Sequence, residues 1–138
     1  MTLLDAYALI ALLLDEPPAD QVEAIVRLRT AGATTVNLVE AFDVSARVHG
    51  LPLDRARSSL DVLLDDAIAV IPLDRAVAER ASELRVRHYH RSRCPISLAD
   101  SVLIASAGPG DRIATADPDV LRVAAAEGIA TLELPGQG

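Results

Sequence analysis

The 138-residue sequence predicts an α/β fold of three layers, a parallel β-sheet covered by helices on both faces. Three observations point there. Short apolar segments of strand character alternate with longer stretches whose apolar residues recur at helical spacing. Glycine and proline fall between these segments and punctuate them. Hydrophobic residues make up 51% of the chain, enough for a buried sheet and too many for disorder. Strands that alternate with helices imply parallel pairing and right-handed crossovers.

The elements follow in order. Thr2–Leu4 is predicted as the first strand, and Ala6 to Leu14 as the apolar helix after it. A second helix begins at Pro18, carries Val22, Ile25, Val26 and Leu28 on one face, and stops near Gly32. The second strand is predicted at Ala33–Val36. Leu38 to Val48 follows as a helix closed by Gly50, and Pro52 starts another from Leu53 to Leu64. Ala69–Ile71 reads as the third strand. Two helices come next, Arg75 to Arg91 and Leu98 to Ala107, before a fourth strand at Arg112–Ala114. The last helix runs from Pro118 to Glu127 and ends at Gly128, leaving Ala130–Leu132 as the fifth strand. No linker, repeat or low-complexity tract interrupts this series, so residues 1–138 are expected to form a single domain.

Composition removes several classes of function. The richest apolar run, Ala8 to Leu14, falls well short of the roughly 18 residues of a membrane span and is flanked by Asp5 and Asp15. The N-terminus has neither the basic region nor the small-residue cleavage site of a signal peptide. The single cysteine, Cys94, cannot close an internal disulfide, which fits a reducing, cytoplasmic setting. A formal charge of −7 argues against nucleic-acid binding by bulk electrostatics. Two arrangements escape that objection: acids gathered around a divalent ion that reverses the local sign, or basic residues collected in one place. All 13 basic residues are arginine. Without lysine, P-loop phosphate transfer, Schiff-base chemistry and lysine-dependent phosphoaspartate signalling are excluded.

Four acids stand out by position. Asp5 directly follows the first strand, Glu40 follows the second, and Asp117 follows the fourth. In a parallel sheet all three emerge at the carboxyl edge, where ligands collect in such folds. Asp100 opens a helix that follows another helix. Each acid taken alone has a structural explanation. Asn37 with Glu40 and Ser97 with Asp100 match the capping box, Asp117 before Pro118 matches an N-cap with proline at the first helical position, and acids in first turns complement the helix dipole. As a set they ask for more, because clustered carboxylates raise one another's pKa and persist where a cation compensates them. Oxygen ligands without histidine or cysteine suit Mg²⁺ or Mn²⁺ rather than zinc.

At these residues the chain resembles the PIN-domain family, and within it the VapC toxins of bacterial toxin–antitoxin pairs. The resemblance rests on Leu3-Leu4-Asp5-Ala6-Tyr7-Ala8-Leu9-Ile10, Val36-Asn37-Leu38-Val39-Glu40-Ala41, Ile96-Ser97-Leu98-Ala99-Asp100-Ser101-Val102-Leu103-Ile104-Ala105 and Ala114-Thr115-Ala116-Asp117-Pro118-Asp119, in register over nearly the whole chain. It implies a five-stranded parallel sheet, a carboxylate-bound Mg²⁺ or Mn²⁺, and hydrolysis of single-stranded regions of RNA, often a tRNA or an rRNA loop. Carried over, Asp5, Glu40, Asp100 and Asp117 are the acidic quartet and catalytic residues, Asp119 is a further acid at the metal, and Asn37 and Thr115 support the site. The run Pro118-Asp119-Val120 departs from the family where an aromatic often follows the second acid. The resemblance also implies a cognate antitoxin covering the active site, and a homodimer.

The one dense basic segment holds Arg85, Arg87, Tyr89, Arg91 and Arg93. It reads either as a solvated helix end whose cations favour the dipole, or as an RNA surface with arginines on phosphates and Tyr89 stacked on a base. Cys94 lacks a partnered base and reads as an inert small residue. His49, before Gly50, reads as a helix-end residue. The Leu- and Ile-rich stretch Ala8 to Leu14 is core, with an excess that could line a groove for a partner helix. Three alternatives remain beside a toxin ribonuclease: an RNA-processing nuclease of the same family without an antitoxin, a receiver-like or phosphatase domain, and a binding module without chemistry. The receiver reading lacks its lysine, and the phosphatase reading lacks a second aspartate two residues after Asp5.

Overall fold

The computed structural model describes residues 1–64 and 66–136. Its five strands are all parallel: β1 (Thr2–Leu4), β2 (Ala31–Thr34), β3 (Ile68–Ile71), β4 (Arg112–Thr115) and β5 (Ala130–Glu133), in the order β3-β2-β1-β4-β5. Helices α1 (Ala6–Leu14), α2 (Ala19–Arg27), α3 (Thr35–Arg47) and α4 (Leu53–Asp61) connect the first three strands. Helices α5 (Arg75–His88) and α6 (Leu98–Ser106) carry the chain from β3 to β4, and α7 (Pro118–Ala126) links β4 to β5. The predicted five-stranded parallel sheet and three layers are therefore present.

The layers follow from the two-residue period of the strands. Leu4, Ala33, Ala114 and Ile68 point to one face, where they pack with Leu9, Val22, Leu38 and Leu60 from the first four helices. Leu3 and Ile113 point to the other, against Val77, Leu84, Leu103 and Val123 from the last three. Leu3, Leu4 and Ile113 are each fully buried. Both faces being covered explains why the strands read as continuous apolar runs rather than alternating ones.

Boundaries moved where side chains or turns decided them. Gly32 does not stop α2. That helix ends at Arg27, and Arg29 makes the turn in the left-handed region with φ 57. Gly32 sits inside β2, where a Cβ would come within 2.5 Å of the Met1 sulfur. Helix α3 starts three residues earlier than predicted because the Thr34 hydroxyl accepts from the Asn37 amide and caps it. The Asn37–Glu40 capping box therefore does not form. Helix α4 stops at Asp61 rather than Leu64, and α5 stops at His88 rather than Arg91, where Tyr89 turns to extended backbone. The predicted box at Ser97 and Asp100 and the Asp117–Pro118 cap are both present.

Candidate active site

Asp5 leaves β1 at the carboxyl edge of the sheet and caps α1, its Oδ1 accepting from the Ala8 amide at 2.8 Å. Its Oδ2 accepts from the Thr115 hydroxyl at 2.6 Å, across the β1–β4 pair. The same Thr115 oxygen accepts from the Asp117 amide at 3.1 Å. One buried threonine thus fixes Asp5 and the backbone of Asp117 together. Asp117 in turn accepts from the Asp119 amide at 2.8 Å as the cap of α7. Asp100 is held by the capping box of α6: it accepts from the Ser97 amide at 3.2 Å, while its own amide donates to the Ser97 hydroxyl at 3.0 Å.

These elements bring the acids to one cleft of about 660 Å³. Asp5, Glu40, Asp100, Asp117 and Asp119 all line it. Their electrostatics agree with that proximity. Burial pushes the Asp5 carboxyl up to about 6, with the charges of Asp100 and Asp117 adding to the effect and the Thr115 and Ala8 bonds opposing it. Burial likewise raises Asp100, to which Asp117 and Asp119 contribute, and it raises Glu40, helped by Asp100. Asp5, Asp100 and Asp117 at helix starts, and Glu40 further along α3, thus line the same cleft.

The donor set is oxygen throughout and suits a hard divalent cation. Among the described residues no three acidic, imidazole or thiol side chains already close around a point as an ion cage. Each of Asp5, Asp100 and Asp117 instead spends an oxygen on a cap. Mg²⁺ keeps several of its waters and binds through one or two carboxylates, so an open cleft with a raised, mutually repelling acid set fits it without such a cage.

The supporting residues divide. Thr115 contacts the site directly. Asn37 is buried, its Oδ1 accepting from the Thr34 hydroxyl at 2.7 Å, and it holds the start of α3, from which Glu40 projects one turn on. The basic segment lies elsewhere: none of Arg85, Arg87, Tyr89, Arg91 and Arg93 lines the acid cleft. Arg85 stacks on Tyr89 at 4.3 Å and donates to the Ile96 carbonyl. Arg87 and His88 both bind Glu127, at the opposite edge of the sheet, beside a second cleft of about 590 Å³ that includes Arg80 and Asp111. Cys94 is buried in the core beneath α5 and α6.

Sequence reasoning passed over part of the acid cleft. Tyr7 and Ile10 from α1, and Val44 and His49 from α3 and its end, line it too. The signal was available in spacing, since Tyr7 and Ile10 share a helical face, as do Glu40 and Val44. The chain's last described residues also approach. Leu134 is buried and donates from its amide to the Thr115 carbonyl, and the Tyr7 hydroxyl donates to the Pro135 carbonyl at 2.7 Å.

The family profile described as PIN domain matches residues 2–126. No curated relative matches the chain. Among solved structures, VapBC2 from Rickettsia felis bound to a promoter DNA fragment superposes with a TM-score of 0.72 at 14% identity, covering 97% of this chain and 98% of that one. DNA-bound VapBC from Salmonella typhimurium gives 0.72 at 16% identity, with 96% of each chain covered. VapC20 from Mycobacterium tuberculosis, described as a sarcin-ricin loop cleaving toxin, gives 0.64 at 16% identity, covering 99% of this chain and 92% of that one. These likenesses concern the fold.

Proposed function

Because the chain belongs to the PIN domain family, we propose that it is a Mg²⁺- or Mn²⁺-dependent endoribonuclease, the toxin of a type II toxin–antitoxin pair. The observation that carries this reading is the convergence of five carboxylates, from four separate parts of the sequence, on one cleft at the carboxyl edge of the sheet. Asp5, Asp100 and Asp117 would hold the ion, with Glu40 and Asp119 completing a second ion site or orienting water. A divalent cation held there would supply Lewis-acid chemistry for cleavage of the phosphodiester. The residues do the rest. Thr115 holds Asp5 and the Asp117 amide in fixed relation, and the α6 cap holds Asp100. Glu40, raised by burial and by Asp100, is suited to take a proton from the attacking water. Asp119 is drawn partly aside by Arg122 at 3.3 Å.

Single-stranded regions of a tRNA or rRNA are the proposed substrate. VapC20 is described as a sarcin-ricin loop cleaving toxin, and the other superposed structures are toxin–antitoxin assemblies. That likeness supports a cognate antitoxin that covers the cleft, and homodimerisation belongs to the same reading. Arg91 and Arg93 are exposed and offer outlying phosphate contacts. No helix among the described residues is long and apolar enough to cross a membrane, which is compatible with a cytoplasmic place of action.

The test is cleavage of labelled total tRNA and rRNA in Mn²⁺ by the unaltered chain and by Asp5→Asn. The expected outcome is endonucleolytic products from the former and at least a 100-fold slower reaction from the latter, with unchanged circular dichroism. Equal rates for the two chains refute the assignment.

A further inference from the structure

The acid cleft does not end at the acids. It continues along the groove between α1 and α3, past Tyr7, Ile10 and Val44, to His49 just beyond the end of α3. At the helical rise of about 1.5 Å per residue, the steps from Glu40 to His49 carry this wall on the order of 13 Å away from the acids. That is further than one extended nucleotide reaches, so the groove is too long to serve the scissile phosphate alone.

Its chemistry changes along the way. Beside the acids stands Tyr7, its hydroxyl tied to the Pro135 carbonyl and its phenol raised by burial and by the Asp5 charge. Ile10 and Val44 then form an apolar stretch. Among the described residues, His49 is the only one lining the cleft whose side chain can carry a positive charge. Of the five carboxylates on the cleft only Asp119 has an arginine partner among the described residues, Arg122, so most of the wall that a phosphodiester meets is acidic. An imidazole at the far end offers a phosphate an N–H donor in either protonation state.

Building on the ribonuclease reading, we propose that the α1–α3 groove is a subsite for a nucleotide flanking the scissile bond. The base lies against Tyr7, Ile10 and Val44, and His49 is the residue that contacts the strand beyond it. Stacking and apolar contact of this kind hold single strands without demanding a particular base.

Binding of fluorescein-labelled single-stranded oligoribonucleotides in Mn²⁺, read by anisotropy, tests this. The comparison is between Asp100→Asn, expected to hold substrate without turnover, and the same chain carrying His49→Ala or His49→Arg. His49 is exposed, so neither change threatens folding. His49→Ala is expected to weaken an octanucleotide roughly fivefold, to leave a dinucleotide unchanged, and to be rescued by His49→Arg. An octanucleotide that binds equally well without His49, a loss of equal size for both lengths, or no octanucleotide binding at all would overturn the subsite. Cleavage by the unaltered chain is scored separately. RNA that binds in a His49-dependent way and is never cut removes the ribonuclease reading and leaves the groove as an RNA site; RNA that is cut with no dependence on His49 does the reverse.

Discussion

At the scale of single residues, Asp5 is the most constrained group in the cleft. Both its oxygens are engaged, one by the amide it caps and one by Thr115, and the residue is only 6% exposed. The consequence for folding has a definite sign. With a folded pKa of about 6 against 3.8, the folded chain binds this proton more tightly than the unfolded chain does. The stability it contributes is complete below about pH 4 and is lost as pH rises through about 6. The size is on the order of 3 kcal/mol. Glu40 and Asp100 act in the same direction, whereas Asp43, Asp66, Asp111 and Glu127 are lowered by their partners and act in the other. The measurement is therefore a difference. In metal-free urea unfolding, Asp5→Asn should gain stability relative to the unaltered chain between about pH 4 and pH 7, and a constant difference across that range would show that Asp5 ionises freely. The acids were legible in the sequence because each follows a strand or opens a helix. His49 was not, since a histidine before Gly50 carries the ordinary signature of a helix end.

At the scale of elements, the caps do two jobs. Those of α1, α6 and α7 each start a helix and fix a carboxylate, and α6 shows this most plainly. Ser97→Ala removes the hydroxyl acceptor of the Asp100 amide but keeps the Ser97 amide that binds Asp100 Oδ2. It should cost about 1 kcal/mol in urea unfolding and leave cleavage within about threefold. A loss comparable to that of Asp100→Asn would mean that the hydroxyl itself belongs to the chemistry. Elements with strong local signals, such as the box at Ser97 and the proline after Asp117, were read from sequence at the right residue. The start of α3 was not, because Thr34 lies at a strand end and two neighbouring threonines offer the same hydroxyl. The end of α5 escaped as well: arginine and histidine continue the helical composition past His88, and only the turn at His90–Cys94 breaks it.

At the scale of the whole molecule, the alternation of strands and helices was sufficient to foresee parallel pairing, because right-handed helical crossovers between successive strands run them in one direction and cover both faces. Strand order was beyond that reasoning. It depends on which helices pack together across the sheet, a matter of pairwise contact and not of pattern. The same global packing forces like charges into one cleft, so a cation that binds only the folded chain should stabilise it by mass action. Raising Mn²⁺ to about 100 times its dissociation constant is expected to add about 3 kcal/mol to the unaltered chain and nothing to a chain carrying both Asp5→Asn and Asp100→Asn. Equal stabilisation of the two by calorimetry would place the ion elsewhere.

The seam between β1 and β4 divides the sheet into two runs that are each continuous in sequence, β1 to β3 and then β4 with β5. A cut between Leu73 and Asp74 leaves Asp5 and Glu40 on one fragment and Asp100, Asp117 and Asp119 on the other. Neither piece holds a complete set of acids, and both regain it when the seam is rebuilt. Under the ribonuclease reading proposed above, the seam is therefore a place to divide the chain, and RNA cleavage restored on mixing the two fragments would report their reunion.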